Sequence, residues 1–310
     1  MNDKLEVIAI VGPTASGKTA LSIELAKKYN GEIINGDSTQ VYCDFNIGTA
    51  KVTEEEMEGI PHHLFDTLDG HEAYSVADYQ KAVRAAIDDI RSRGNLPIIV
   101  GGTGLYIQAV LFDFRFTEEV VDDVIRERLE RQLEIEGSAV LHAKLQEIDP
   151  NSAEKIHPNN HRRLIRALEI FEITGKTKDA HEDNKGQEKM YEHLIFGLEM
   201  GREKLYERIN LRTELMMAQG FLQEVENLLA QGYEDAQPMG AIGYRELKRY
   251  VEGDCSYEAA VEGIQKSTRN YAKRQMTYFK NKMDINWLNV EDGLRKMMDN
   301  ISQKLKDFDV

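Results

Sequence analysis

Three short stretches hold the residue types that phosphate chemistry needs. GPTASGKT at 12–19 follows an apolar run and precedes an amphipathic one. In that context Gly12, Pro13, Thr14, Ala15, Ser16 and Gly17 make a loop whose backbone N–H groups, backed by a helix N-terminus, can bind phosphate oxygens. Lys18 adds a point charge, and the Thr19 hydroxyl can ligate magnesium. GDSTQ at 36–40 sets Asp37 and Ser38, with Thr39 and Gln40, directly after a second apolar run. Asp37 is either a functional carboxylate beside Lys18, a helix N-cap, or an outer-sphere magnesium contact. GGTGLY at 101–106 sets Thr103 after a third run. Its two preceding glycines allow close backbone approach, and its hydroxyl can serve a site or cap the next helix.

The elements that must position these motifs are legible around them. EVIAIV (6–11) predicts a strand and TALSIELAKKY (19–29) a helix. GEIINGDS (31–38) and PHHLFDT (61–67) predict further strands. The stretch 75–94 predicts a helix capped by Ser75 and ended by Gly94. LPIIVGGTGLYI (96–107) predicts a buried strand, a glycine turn and a helix, and YEHLIFGLEM (191–200) another strand. Strands alternating with helices imply an α/β fold with a parallel, doubly wound sheet. Ligands bind such sheets at the C-terminal strand ends, so the three motifs are expected to converge.

Between 117 and 189 the character changes to charged and helical, with VIRERLERQLEIEG and NNHRRLIRALEIFEITGK as helices and Gly175 as a stop. The expectation is a core of 1–116 and 190–310 carrying a helical insertion, with 176–189 as a loop or hinge. The remainder reads as helical, with AIGYREL (241–247) a turn feeding a helix.

The chain has 310 residues, 41% hydrophobic and 30% charged, with no apolar run long enough to span a membrane. MNDKLEVIAIVG lacks a basic lead and a small-residue cleavage site, so no secretory leader is expected. Cys43 and Cys255 match no metal or CxxC spacing, nor do the histidines match a zinc site, and a reducing cytoplasm is the expected compartment. The net charge of −15 speaks against a polyanionic partner, but binding depends on the local field. HRRLIR (161–166) puts Arg162 and Arg166 on one helix face, and Arg208 and Arg212 repeat that spacing. KSTRNYAKRQMTYFKNKM (266–283) carries Lys266, Arg269, Lys273, Arg274, Lys280 and Lys282 without one acid, interleaved with Tyr271, Tyr278 and Phe279. The cations could meet RNA phosphates and the aromatics stack bases, or the aromatics could face the core.

GPTASGKTALSIELA, GDSTQVY, NIGTAK, GIPHHLFD, GGTGLYI, HRRLIRALEI, AIGYRE and TRNYAKRQMTYF, in that order, resemble the tRNA dimethylallyltransferase family over residues 6–290. The family usually has Met or Ala where this chain has Thr39; with Asp37 and Ser38 intact, the chemistry is expected to be untouched. The resemblance implies a P-loop nucleotide-kinase-like core with an insertion that grips the tRNA anticodon stem-loop. It implies that the loop holds the diphosphate of dimethylallyl diphosphate rather than a nucleotide. The five-carbon group would go to the exocyclic amine of the adenosine 3′-adjacent to the anticodon, a base flipped from its stack. Asp37 would be the general base. Lys18, Thr19 with Mg2+, and Arg212 would neutralise the leaving diphosphate, and Thr103 would orient the amine or touch tRNA. Ser38, Thr39, Gln40, Arg126 and Arg162, Arg163, Leu164, Ile165 and Arg166 match tRNA-contact positions, to which the basic run adds Lys273 and Arg274. One chain supplies every site, so a monomer is expected. A P-loop small-molecule kinase, an isopentenyltransferase acting on free AMP, and a non-catalytic RNA-binding module stay open as alternatives. The first two leave the basic segments idle, and the third leaves Asp37, Thr19 and Thr103 idle.

Overall fold

The computed structural model describes residues 4–114, 122–177 and 185–308. The chain forms two compact units, Met1–Phe112 with Lys189–Val310, and Asp113–Glu188.

The first unit is built on a six-stranded sheet in which the strands pair in parallel. Its strands are β1 (Val7–Val11), β2 (Gly31–Asn35), β3 (His62–His63), β4 (Leu96–Gly101), β7 (His193–Glu199) and β8 (Asn286–Asn289), in the order β3-β2-β4-β1-β7-β8. Every residue of β1 and β2 is buried. That explains their unbroken apolar runs: a parallel strand covered on both faces shows no polar alternation. Val7, Ala9 and Val11 enter one core, with Val83 and Ile87 of α3 (Val76–Ser92) and Ile107 of α4 (Gly104–Leu111). Ile8 and Ile10 enter the other, with Leu21 and Leu25 of α1 (Lys18–Tyr29) and Ile301 of the C-terminal helix Leu294–Leu305. Each such valine, leucine or isoleucine side chain removed from water contributes roughly 1.5–3 kcal/mol. Ser75 caps α3 as expected, its Oγ accepting from Asp78 N at 3.2 Å.

Two strand expectations are corrected. PHHLFDT yields only His62–His63, because Leu64 and Asp66 take φ of 63° and 51°, which no extended strand can follow. The segment read as wholly helical contains β8, an edge strand holding the chain's single tryptophan, Trp287. At four residues, it is too short to show a period.

The second unit contains α5 (Asp123–Glu136), α6 (Ser138–Ile148), α7 (Pro150–Lys155) and α8 (His161–Thr174). Phe112–Phe114 (β5) and Lys185–Lys189 (β6) pair as a two-stranded sheet. Residues 185–189 are therefore a strand where a loop was expected; KGQEK offers no apolar signal. Residues 178–184 of that expected hinge lie outside the described residues. Gly175 ends α8 in the left-handed conformation, as its sequence position suggests. Leu164 at 0% and Ile165 at 7% exposure belong to the core of this unit, with Leu129, Leu141 and Leu145. Both were expected to contact tRNA; their side chains instead fill the helix bundle. Leu164→Ala is expected to destabilise this unit by about 2–5 kcal/mol. The check is a denaturant melt, in which an unchanged midpoint would contradict the packing.

Candidate active site

The C-terminal ends of β1, β2 and β4 meet at one cavity of about 330 Å³, lined by Thr14 to Thr19, Asp37, Gln40 and Gly101–Gly102. The ends are pressed together: a Cβ on Gly101 would lie 2.0 Å from Gly36 O. No side chain fits there, which is why both motifs need glycine.

The loop organises itself around Lys18, whose Nζ donates to Gly12 O at 3.1 Å and Pro13 O at 2.8 Å. Burial, and then the neighbouring Arg212, lower the Lys18 pKa to about 8, with Asp37 opposing. A cation held where cations are disfavoured is a receptor for an anion. Gly12 and Pro13 supply carbonyls to Lys18 and do not line the cavity, and proline has no N–H to offer a phosphate. Thr14 N donates to Gln275 Oε1 at 3.0 Å, so that amide is already engaged. Ser16 Oγ is buried with no hydrogen-bond partner, and Ala15 sits at φ 62°, a strained left-handed position. Thr19 is exposed within the cavity lining.

Helix α9 (Arg202–Ala218) forms the opposite wall, with Arg208, Leu211, Arg212 and Leu215. Arg212 Nη1 donates to Thr14 Oγ1 at 3.4 Å, and its pKa is lowered by burial despite Asp37 and Glu56. Arg208 was noted only for its spacing from Arg212. Its guanidinium lies above the loop, 3.6 Å from where a Cβ on Gly17 would be.

Asp37 is fixed from both sides. Asn35, fully buried at the end of β2, accepts from Asp37 N at 2.8 Å and donates to Asp37 O at 3.0 Å. Thr39 donates to Asp37 Oδ1 through both N, at 2.9 Å, and Oγ1, at 2.6 Å. The Thr39 side chain thus bears directly on the carboxylate. Thr103 stands at the N-cap of α4 but makes no side-chain cap, and it does not line the cavity. Its Oγ1 is buried without a hydrogen bond of good geometry, beside the Tyr271 phenol.

Tyr271 lies on α12 (Tyr257–Lys282), the helix that carries the basic run. Burial, and then Asp37, push its phenol up to about 12, so it stays neutral. Gln275, one turn on, is buried and bridges two motifs: it accepts from Thr14 N and donates to Gly102 O at 3.0 Å. Sequence reading passed over Gln275, because a glutamine inside a basic run carries no signal of its own. Tyr271 also lines a second cavity of about 320 Å³, which shares Thr14, Ala15, Asp37, Thr49, Ala50 and Arg212 with the first. That cavity adds Ser38 and Thr39, apolar Ile209, Met216, Phe221 and Ile264, and Arg274.

The basic run divides by role. Arg269 donates to Asn210 Oδ1 at 2.6 Å, and Lys280 pairs with Glu199 at 3.1 Å. Lys273 and Arg274 are exposed, and Arg274 lies 5.7 Å from the Tyr271 ring centre. Phe279 is fully buried and the Tyr278 hydroxyl donates to Gln108, so these two aromatics serve packing. In the second unit, Arg126 and Arg166 both donate to the buried Glu169 Oε2, at 3.0 and 2.8 Å, while Arg162 and Arg163 are exposed.

No helix among the described residues is long and apolar enough to cross a membrane. A family model described as IPP transferase matches residues 40–282. The chain is 54% identical over 288 residues to the tRNA dimethylallyltransferase of Bacillus cytotoxicus, covering 93% of this chain and 91% of that one. It is 53% identical over 289 residues to the tRNA dimethylallyltransferase of Bacillus subtilis, covering 93% and 92%. Among solved structures, it is similar to a tRNA isopentenylpyrophosphate transferase from Staphylococcus epidermidis, with TM-score 0.73, 46% identity and coverage of 97% and 98%. A eukaryotic dimethylallyltransferase acting on tRNA is similar at TM-score 0.78 and 35% identity, covering 96% of this chain and 77% of that one. With a family match running from Gln40 to the end of the basic helix, and relatives this similar over most of both chains, the chain belongs to the IPP transferase family.

Proposed function

We propose that this protein transfers the dimethylallyl group of dimethylallyl diphosphate to the exocyclic amine of the adenosine 3′-adjacent to the tRNA anticodon, releasing diphosphate. The observation that carries the reading is a pair of cavities with a shared lining. One has Lys18 and Arg208 around a phosphate loop, the other includes Arg274, and Asp37 and Arg212 line both. The names of the relatives and the tRNA-acting structural neighbour support the same chemistry.

In the step, the amine nitrogen forms a bond to the allylic carbon as the carbon–oxygen bond to diphosphate breaks. The electron pair leaves with the diphosphate oxygen, where Lys18, Arg212 and the free loop amides meet the new charge. The nitrogen sheds its proton to the Asp37 carboxylate, whose Oδ1 is already occupied by Thr39. The apolar side chains of the second cavity exclude water that would otherwise consume the allyl group. Thr103 acts behind Tyr271 rather than at the cavity surface.

The oxygen donors present suit Mg2+. The Thr19 hydroxyl faces the cavity, while the described residues contain no His, Cys, Asp and Glu cluster that would cage a metal alone. An ion held by Thr19 and substrate phosphates, the usual setting for magnesium, would neutralise leaving-group charge when bound.

Exposed Lys273 and Arg274, with Arg162 and Arg163 of the second unit, are assigned to tRNA phosphates, and the Asp113–Glu188 unit to the anticodon stem-loop. Arg126 and Arg166 are assigned to the same surface, held by Glu169. One chain provides all these groups, so the reading needs only a cytoplasmic monomer. Lys273→Glu is expected to weaken tRNA binding and to reduce its salt slope by about one unit per lost phosphate contact. An unchanged slope would remove this helix from the interface. The decisive test is transfer of labelled dimethylallyl to unmodified tRNA, with AMP as acceptor in a parallel reaction. Label in tRNA alone is expected; label in AMP would replace the reading with a free-nucleotide transferase.

A further inference from the structure

Thr49 and Ala50 line both cavities, and hydrogen bonds hold their carbonyls and the amides just before them. Gln40 Nε2 donates to Thr49 O at 2.9 Å and Ala50 O at 3.3 Å. Immediately before them, three consecutive amides converge on one carboxylate. Asn46 N and Ile47 N donate to Glu224 Oε2 at 3.2 and 2.7 Å, and Gly48 N donates to Oε1 at 3.2 Å. The buried Tyr244 hydroxyl completes the set, donating to Oε1 at 2.6 Å. Successive N–H groups curled this way form a receptor for an anion, and here the anion is the protein's own. The backbone is also pressed onto two rings: a Cβ on Gly48 would lie 2.3 Å from Phe221 and 2.5 Å from Tyr244.

Glu224 sits on α10 (Phe221–Ala230), which follows directly from α9, the helix of Arg208 and Arg212. The same pair of helices therefore carries two cations of the cavity lining and the carboxylate that holds the backbone leading into Thr49 and Ala50. Nothing in the transfer step uses Glu224 directly.

We propose that Glu224 is a positioning residue for prenyl transfer, which sets the Thr49–Ala50 wall shared by the two cavities, while Lys18, Arg208 and Arg212 hold the diphosphate without it. This rests on the prenyl-transfer reading. Displacement of a wall by about 1 Å can cost on the order of 10²-fold in rate without a comparable loss of binding.

The test compares Glu224→Ala and Glu224→Gln by two readouts. One is kcat at saturating dimethylallyl diphosphate and tRNA. The other is calorimetric affinity for inorganic diphosphate with magnesium, which does not depend on the acceptor. Glu224→Ala is expected to lower kcat by about 10–100-fold. Diphosphate affinity is expected to stay at the wild-type level in both variants, and the kcat of Glu224→Gln is expected to lie between wild type and alanine because it keeps one oxygen for the amides. A wild-type kcat in Glu224→Ala overturns the proposal. So does diphosphate affinity that falls in step with kcat, the signature of a general loss of fold. If the alanine variant does not fold, the glutamine variant carries both readouts. Wild-type protein that binds diphosphate but labels no tRNA would instead sink the functional reading.

Discussion

Asp37→Asn is expected to lower single-turnover prenyl transfer by about 10²–10⁴-fold, the usual worth of a positioned general base, while tRNA affinity stays near wild type. Asparagine is the informative replacement. Its side-chain oxygen still accepts from Thr39 N and Oγ1, so the turn after β2 keeps its shape. Only the capacity to take a proton is lost. Rapid-quench transfer and filter binding separate the two effects. Intact single-turnover chemistry beside a large affinity loss would make Asp37 a tRNA contact and leave the base unassigned.

Lys18→Ala is expected to lower kcat by about 10²–10³-fold, the cost of one donor to a developing anion. A second signature comes from pH. In the free protein Lys18 titrates near 8, depressed mainly by burial and next by Arg212. Below that value it is charged and ready for diphosphate. As pH rises above it, kcat/KM for dimethylallyl diphosphate is expected to fall about tenfold per unit, as the cationic fraction does. Lys18→Arg keeps its charge throughout and is expected to lose this alkaline limb, at a lower plateau. For folding the sign is the reverse. The unfolded chain holds this proton up to the ordinary lysine value of 10.5, so the cost of the buried charge is fully present below about pH 8 and relieved from there to 10.5. A pH profile that is flat from 7 to 9 would mean that the lysine is not the titrating group.

The sequence by itself determined the sheet and the candidate site at its strand ends. VIAIV and LPIIVG could only be strands covered on both faces, and the glycine-rich turns after them leave room for nothing but backbone and a ligand. The charged helical unit was equally visible, because helices report themselves through periodicity within a dozen residues. What the sequence could not determine was which polar side chain serves which neighbour. Arg269 and Lys280 read like Lys273 and Arg274, yet the first two are committed to Asn210 and Glu199. Leu164 and Ile165 sit inside a basic motif and turn away from it into a core. Gln275 reaches Thr14 across 261 positions, and Glu224 reaches Ile47 across 177. Such pairings have no period and no local composition. They depend on the distance and angle between elements, which only the packed tertiary structure decides.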